Sequence, residues 1–142
     1  MEKIATFIYC LAANNIQEPN MQSINANGIL SAITPEYIPG TFSFSLIFTL
    51  LGLEEKNYGL NLKFKNPDGK IVLDTGEMVI PYDQISKNDQ DKILLPPEET
   101  GLTLSLDLKN VVFEKNGYYI TEVTCNGRTL GEYKIYAKGK NT

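Results

Sequence analysis

The 142-residue sequence has no histidine and no tryptophan. Without histidine no side chain has an ordinary pKa near neutrality. That excludes the usual general base, the Ser-His and Cys-His nucleophile pairs and most catalytic zinc sites. Two cysteines, Cys10 and Cys125, are too few to build a zinc site alone. Catalysis would have to rest on carboxylates, lysine or tyrosine, and no spacing in the chain pairs them, so the expectation is a protein that is not an enzyme and carries no cofactor. Positive charge is also scarce: 13 Lys and Arg stand against 17 Asp and Glu, a net charge of −4. The cations are scattered, with Lys63/Lys65 and Lys138/Lys140 the closest groups. No basic stripe is available to neutralise a phosphate backbone, and nucleic acid is not an expected partner. No apolar run is long enough to span a membrane.

The amino terminus, Met1-Glu2-Lys3 followed by apolar residues 4–13, lacks the positive opening and small-residue cleavage site of a secretory signal. Phe7-Ile8-Tyr9 are too large to precede a lipid-modified Cys10. The segment reads instead as a buried first strand of a cytoplasmic protein. Cys10 and Cys125 are then expected to stay reduced as small core hydrophobes, a disulfide being the alternative if the first and penultimate strands are neighbours.

What the chain does contain is strand signal. A chain of this length buries roughly 68 to 70% of its unfolded surface, enough for one core. Residues 102–108 alternate leucine with polar residues, and residues 42–50 place Phe42, Phe44, Leu46, Phe48 and Leu50 on one face. Such alternation means one face in a core and one in water. Further strands are predicted over 4–11, 29–34, 60–65, 70–80, 118–125 and 129–137. Asn27-Gly28, Pro39-Gly40, Pro67-Asp68-Gly69 and Asn126-Gly127 mark turns, and Asp74-Thr75-Gly76 interrupts the fifth strand. Leu130 is out of step with Tyr133, Ile135 and Ala137, and a bulge at Gly131 would put all four on one face. Residues 14–27 are asparagine-rich and polar and read as a long loop. Residues 81–100 read as a second, acidic one with a helical turn around 82–86, and residues 138–142 as a flexible tail. Eight strands with one long crossover predict a single all-β domain, a two-sheet antiparallel sandwich over residues 1–142.

The pattern Phe113-x-x-x-Gly117-x-Tyr119-x-x-x-Val123, the Asn126-Gly127 turn and Leu130-Gly131-Glu132 resemble the closing hairpin of immunoglobulin-like sandwiches. In those domains a glycine stands two residues before a tyrosine whose hydroxyl ties back to nearby backbone. The paired core cysteines and core tryptophan of true immunoglobulin domains are missing, so only the architecture carries over. Across nearly the whole chain, Ser23-Ile24-Asn25-Ala26-Asn27-Gly28-Ile29-Leu30, Pro39-Gly40-Thr41-Phe42-Ser43-Phe44, Pro67-Asp68-Gly69-Lys70 and Gly117-Tyr118-Tyr119 resemble a family of small bacterial and phage β-sandwich proteins of unknown function. That resemblance implies intracellular residence and no catalytic residue.

Two constellations remain. Asp89-Gln90-Asp91 has the alternate acidic spacing of calcium loops, which makes Asp89 and Asp91 weak metal candidates beside the reading as a solvated loop. Tyrosines carry an apolar ring with a polar handle, suited to protein interfaces. Tyr136 falls on the face opposite Ile135 and beside Lys134, and Tyr118 can pair with it across the hairpin, so these two are the interaction candidates. The expectation is a non-enzymatic protein-interaction module of bacterial or phage origin, with a protein partner or itself as ligand. The alternatives are a self-assembling virion or tail-like protein and a calcium-dependent binding domain.

Overall fold

The computed structural model describes residues 1–18, 21–54, 56–81 and 95–141. Its strands are β1 (Lys3–Glu18), β2 (Met21–Ile29), β3 (Ala32–Ile33), β4 (Gly40–Leu51), β5 (Tyr58–Lys65), β6 (Ile71–Asp74), β7 (Met78–Ile80), β8 (Gly101–Phe113), β9 (Gly117–Cys125) and β10 (Arg128–Ala137). The first sheet has the order β2-β1-β4-β8. The second has the order β3-β10-β9-β5-β6, with β7 also on β5. Among the described residues all ladders are antiparallel except the two-residue pairing of β3 with β10. The architecture is the predicted immunoglobulin-like two-sheet sandwich. Among the described residues no helix is long and apolar enough to cross a membrane.

The alternating residues of β4 and β5 place the core. Phe44, Leu46, Phe48 and Leu50 from β4 face Tyr58, Leu60, Leu62 and Phe64 from β5, and all are buried. Phe44 and Phe113 from the first sheet meet Phe64 and Tyr119 from the second, with ring centroids 4.8–6.4 Å apart in the contacting pairs. These are favourable separations for tilted and edge-on rings. The Tyr119 hydroxyl donates to the Lys115 carbonyl at 2.8 Å, the tie-back that the immunoglobulin-like pattern implies. Gly117 is required there because its φ is 138° and a Cβ would meet Pro67 Cγ at 2.7 Å.

A second tyrosine joins the sheets. Tyr9 of β1 donates its hydroxyl hydrogen to the Tyr133 carbonyl at 2.9 Å. A hydroxyl has one hydrogen, so the 2.6 Å contact with Thr121 Oγ1 must be Thr121 donating to Tyr9. Phe7 stacks on Tyr133 at 4.2 Å beside this bridge.

The predicted bulge in the last hairpin is present: the β9–β10 register shifts between Thr129 and Gly131, and Leu130 packs on the core. Asn126 and Gly127 both have positive φ, as a type I′ turn needs. The interruption of the fifth predicted strand is also real and divides it into β6 and β7.

Three expectations are overturned. Residues 14–27 are not a loop: β1 continues to Glu18 and β2 returns from Met21, paired from Cys10↔Ile29 to Glu18↔Met21. This ribbon runs on after β1 has left β4 at Cys10↔Ser45, none of its described side chains over 11–15 and 23–29 joins the core, and only Ile24 and Ala26 give it a short apolar alternation. Asn27-Gly28, expected as a turn, lies inside that ladder, with Gly28 at φ 69° against the Leu11 side chain. Nor do residues 138–141 form the expected flexible tail, since Lys138, Lys140 and Asn141 donate backbone N–H groups to the carbonyls of Ile33, Pro35 and Glu36; Thr142 lies outside the described residues. Cys10 and Cys125 are buried free thiols, and β1 and β9 lie in different sheets. Of residues 81–100, only Pro81 and 95–100 are described, with a 3-10 turn at Pro97–Glu99. The helical turn expected at 82–86 lies outside the described residues.

Tyr9→Phe leaves Thr121 and the Tyr133 carbonyl short of a partner and is expected to cost about 1–3 kcal/mol in a urea titration. Burial also pushes the Tyr9 phenol above its ordinary value. From about pH 10 the unfolded tyrosine ionises while the folded one holds its proton, so stability falls as pH rises. Cys10, Cys125 and Tyr133, also raised by burial, act in the same direction. Wild type is expected to lose stability progressively above pH 9, and Tyr9→Phe to lose less than wild type between pH 10 and 11. A chain ended at Ala137 is expected to melt about 3 °C or more lower, through lost backbone bonds. An unchanged melting temperature would show that the tail contributes nothing.

Candidate interaction surface

The outer face of the second sheet follows from the same alternation that fills the core. In β9 and β10 the residues Tyr119, Thr121, Val123, Ile135 and Ala137 turn inward and are buried. Tyr118 and Tyr136 therefore turn outward, and the β9–β10 register sets them directly opposite one another. Their rings form an edge-on pair 5.0 Å apart at 83°. Lys134 holds its ammonium 5.0 Å from the centre of the Tyr118 ring, a cation–π contact. Tyr118 remains 52% and Tyr136 41% exposed, so the packing between them leaves much of both rings free.

Next to the rings the face is charged and mixed in sign. Lys134 lies opposite Ile120 and Ile120 opposite Lys65. Lys65 reaches Glu122 at 3.2 Å, and Glu122 stands opposite Glu132. Asn61, farther along the same face, has a buried Oδ1 with no hydrogen-bond partner among the described residues, an acceptor that satisfied surfaces rarely leave unused. The whole is a sheet face with an aromatic end and a cation over one ring, beside which lysines flank Ile120 and two glutamates stand opposite one another. It offers stacking, phenolic hydrogen bonds and ion pairing.

A second polar constellation lies on the first sheet, and sequence reasoning missed it. Cys10, Ser45 and Asp107 are consecutive partners across β1, β4 and β8. Ser45 donates to Asp107 Oδ1 at 2.6 Å, and the Cys10 thiol sits 3.7 Å from the Ser45 carbonyl oxygen. Burial first, and then the Asp107 charge, push the Cys10 thiol up. A protonated buried thiol is a poor nucleophile, and the group that adjoins Ser45 is the Asp107 carboxylate, with no histidine in the chain to join them. These residues are 35 and 62 positions apart in sequence, and only the ladder registers bring them together. Among the described residues no three His, Cys, Asp or Glu side chains could hold a metal. Asp89 and Asp91 lie outside the described residues.

Residues 8–138 match the model of a family of unknown function, DUF6941. No curated protein's sequence matches the chain. Among solved structures, the chain is similar to Pseudomonas fluorescens alkylpurine DNA glycosylase AlkC bound to DNA containing an abasic site analogue, at 10% identity and a TM-score of 0.52. That likeness covers 96% of this chain and 30% of the glycosylase, so the chain spans less than a third of it. An immunoglobulin-like protein from Pseudomonas aeruginosa is also similar, at 16% identity and a TM-score of 0.47, over 97% of both chains.

The double variant Tyr118→Ala/Tyr136→Ala is expected to lose no more than about 1.5 kcal/mol, the worth of one aromatic pair on a surface. A loss above 3 kcal/mol in a urea titration would mean that the rings serve the fold.

Proposed function

Because the chain belongs to this family of unknown function and membership brings no activity with it, we propose from the surface chemistry that it is a non-enzymatic interaction module. In this reading it works in the cytoplasm of a bacterium, as a bacterial or phage-encoded product, and docks on a host protein through the outer face of the second sheet. The observation that carries the reading is the half-exposed Tyr118–Tyr136 pair with Lys134 over the ring. Aromatic residues with a polar handle are the side chains most enriched where proteins bind one another. The absence of histidine from the sequence and the raised Cys10 thiol argue against nucleophilic chemistry. The DNA held by the glycosylase lends no nucleic-acid role here, since a likeness at 10% identity speaks to fold alone and this chain has net charge −4.

One observation favours self-assembly as the second reading. β8 is a 13-residue strand that pairs only with β4 among the described residues, and a free edge of that length invites a second chain. The deciding experiment is capture of bacterial lysate proteins on the tagged chain, with a denatured copy and Tyr118→Ala/Tyr136→Ala as controls. One host protein enriched on wild type and lost on the double variant is the expected result. Enrichment of the bait's own untagged copies alone, together with a light-scattering mass above the monomer, would replace docking by self-assembly.

A further inference from the structure

Where β1 turns away from β4, after Cys10↔Ser45, a cavity of about 310 Å³ opens between β1 and β8. Ala12 and Ala13 of β1 border it, as do Asp107 and Lys109 of β8 and, from β4 between them, Ser43 and Ser45. The two hydroxyls are bound in opposite senses. Ser45 donates its hydrogen to Asp107 Oδ1 at 2.6 Å, so this end of the cavity keeps acceptors: carboxylate Oδ2 and the lone pairs of Ser45. Ser43 accepts from the Asn110 N–H at 2.9 Å, and its own hydrogen has no acceptor among the described residues. Lys109 stands beside it, so that end keeps donors. A bulge in β8 makes this arrangement, since Lys109 and Asn110 together oppose Ser43, with Asn110 at φ 53°, and bulges re-aim side chains in this way. Asp107 and Lys109 border one cavity yet form no ion pair, with each other or with any other described residue.

We propose that this cavity binds a free α-amino acid, its ammonium held by Asp107 Oδ2 and Ser45 and its carboxylate by Lys109 and the Ser43 hydroxyl. The class of ligand follows from the polarity of the two ends. One carboxylate and one ammonium leave the cavity neutral as a whole, so a simple cation or anion is attracted by one charge and repelled by the other, whereas a zwitterion satisfies both. Its length follows from the strand. Ser43 and Ser45 are two residues apart on β4, about 7 Å, and two charge-assisted bonds of about 2.8 Å take up most of that distance. What remains suits two charges borne on one carbon. The methyl groups of Ala12 and Ala13 offer the ligand's side chain an apolar wall. The volume is at the lower end for small-molecule sites. The cavity belongs to the first sheet and is independent of Tyr118 and Tyr136, which face outward from the other.

The test is titration of the isotope-labelled full chain with each free α-amino acid to about 10 mM, tenfold above a millimolar Kd, read by amide chemical shifts. At least one is expected to shift the signals of residues 12–13, 43–45 and 107–109 saturably. Its N-acetyl form, which lacks the ammonium, and its amide, which lacks the carboxylate, are expected to bind about tenfold more weakly or worse. Asp107→Asn and Lys109→Gln are each expected to weaken the free amino acid about tenfold, whereas Tyr118→Ala/Tyr136→Ala binds it as well as wild type. Both charged side chains are exposed, and asparagine keeps an acceptor for Ser45. Should either variant fail to fold, the comparison of ligand forms on wild type carries the test. Three results would overturn the proposal: no free amino acid that shifts these signals; an N-acetyl or amide form that binds as tightly as the free one; or full affinity in a folded Asp107→Asn or Lys109→Gln.

Discussion

The sandwich depends on one layer of rings. Phe44, Phe64, Phe113 and Tyr119 are drawn from both sheets and are almost wholly removed from water. Each such side chain contributes about 1.5–3 kcal/mol by leaving water, and truncating one costs more because a cavity remains. Around this layer the remaining contacts are placed by geometry. Tyr119 brings its hydroxyl to Lys115 and so holds the turn between β8 and β9. Next to Phe44 of that layer, Tyr9 fastens β1 to β9 and β10 by two hydrogen bonds. The sheets are thus held by apolar burial in the middle and by directed polar contacts beside it, and the polar contacts set the register that burial alone leaves loose.

From that fixed interior both outer surfaces follow. A strand whose odd residues are pinned inside must present its even residues outside, so burying Tyr119 and Ile135 obliges Tyr118 and Tyr136 to emerge as neighbours. On the other sheet β1 is longer than its place beside β4. The surplus continues as a ribbon with β2, and its departure leaves the early residues of β4 beside two cavities.

Elements with one face in the core were readable before any coordinates, although Ser45 and Ile47 on the other face of β4 are buried as well. Phe42 to Leu50 and Leu102 to Leu108 alternate because one side meets the core, and the Tyr118–Tyr136 pairing follows from that period together with the Asn126-Gly127 turn. The Gly131 bulge was readable because four apolar residues required it. The ribbon was not readable, since Asn14 and Asn15, adjacent and so on opposite faces, and Asn25 and Asn27 on its other strand leave the ladder little hydrophobic rhythm. The Ser45–Asp107 bond escaped for another reason: it joins strands 62 residues apart, and no local pattern encodes which strand lies next to which. The tail was misread because its partners, the carbonyls of Ile33, Pro35 and Glu36, are backbone groups that composition does not reveal.

The two buried free thiols make the molecule its own reporter. Cys10 stands at the last rung before β1 leaves β4, and Cys125 stands beside the final turn, in the opposite sheet. Both are held protonated by burial, so an alkylating reagent reads the opening of each locality separately. The fork and the closing hairpin can therefore be timed against each other in the unmodified chain, without introducing any label.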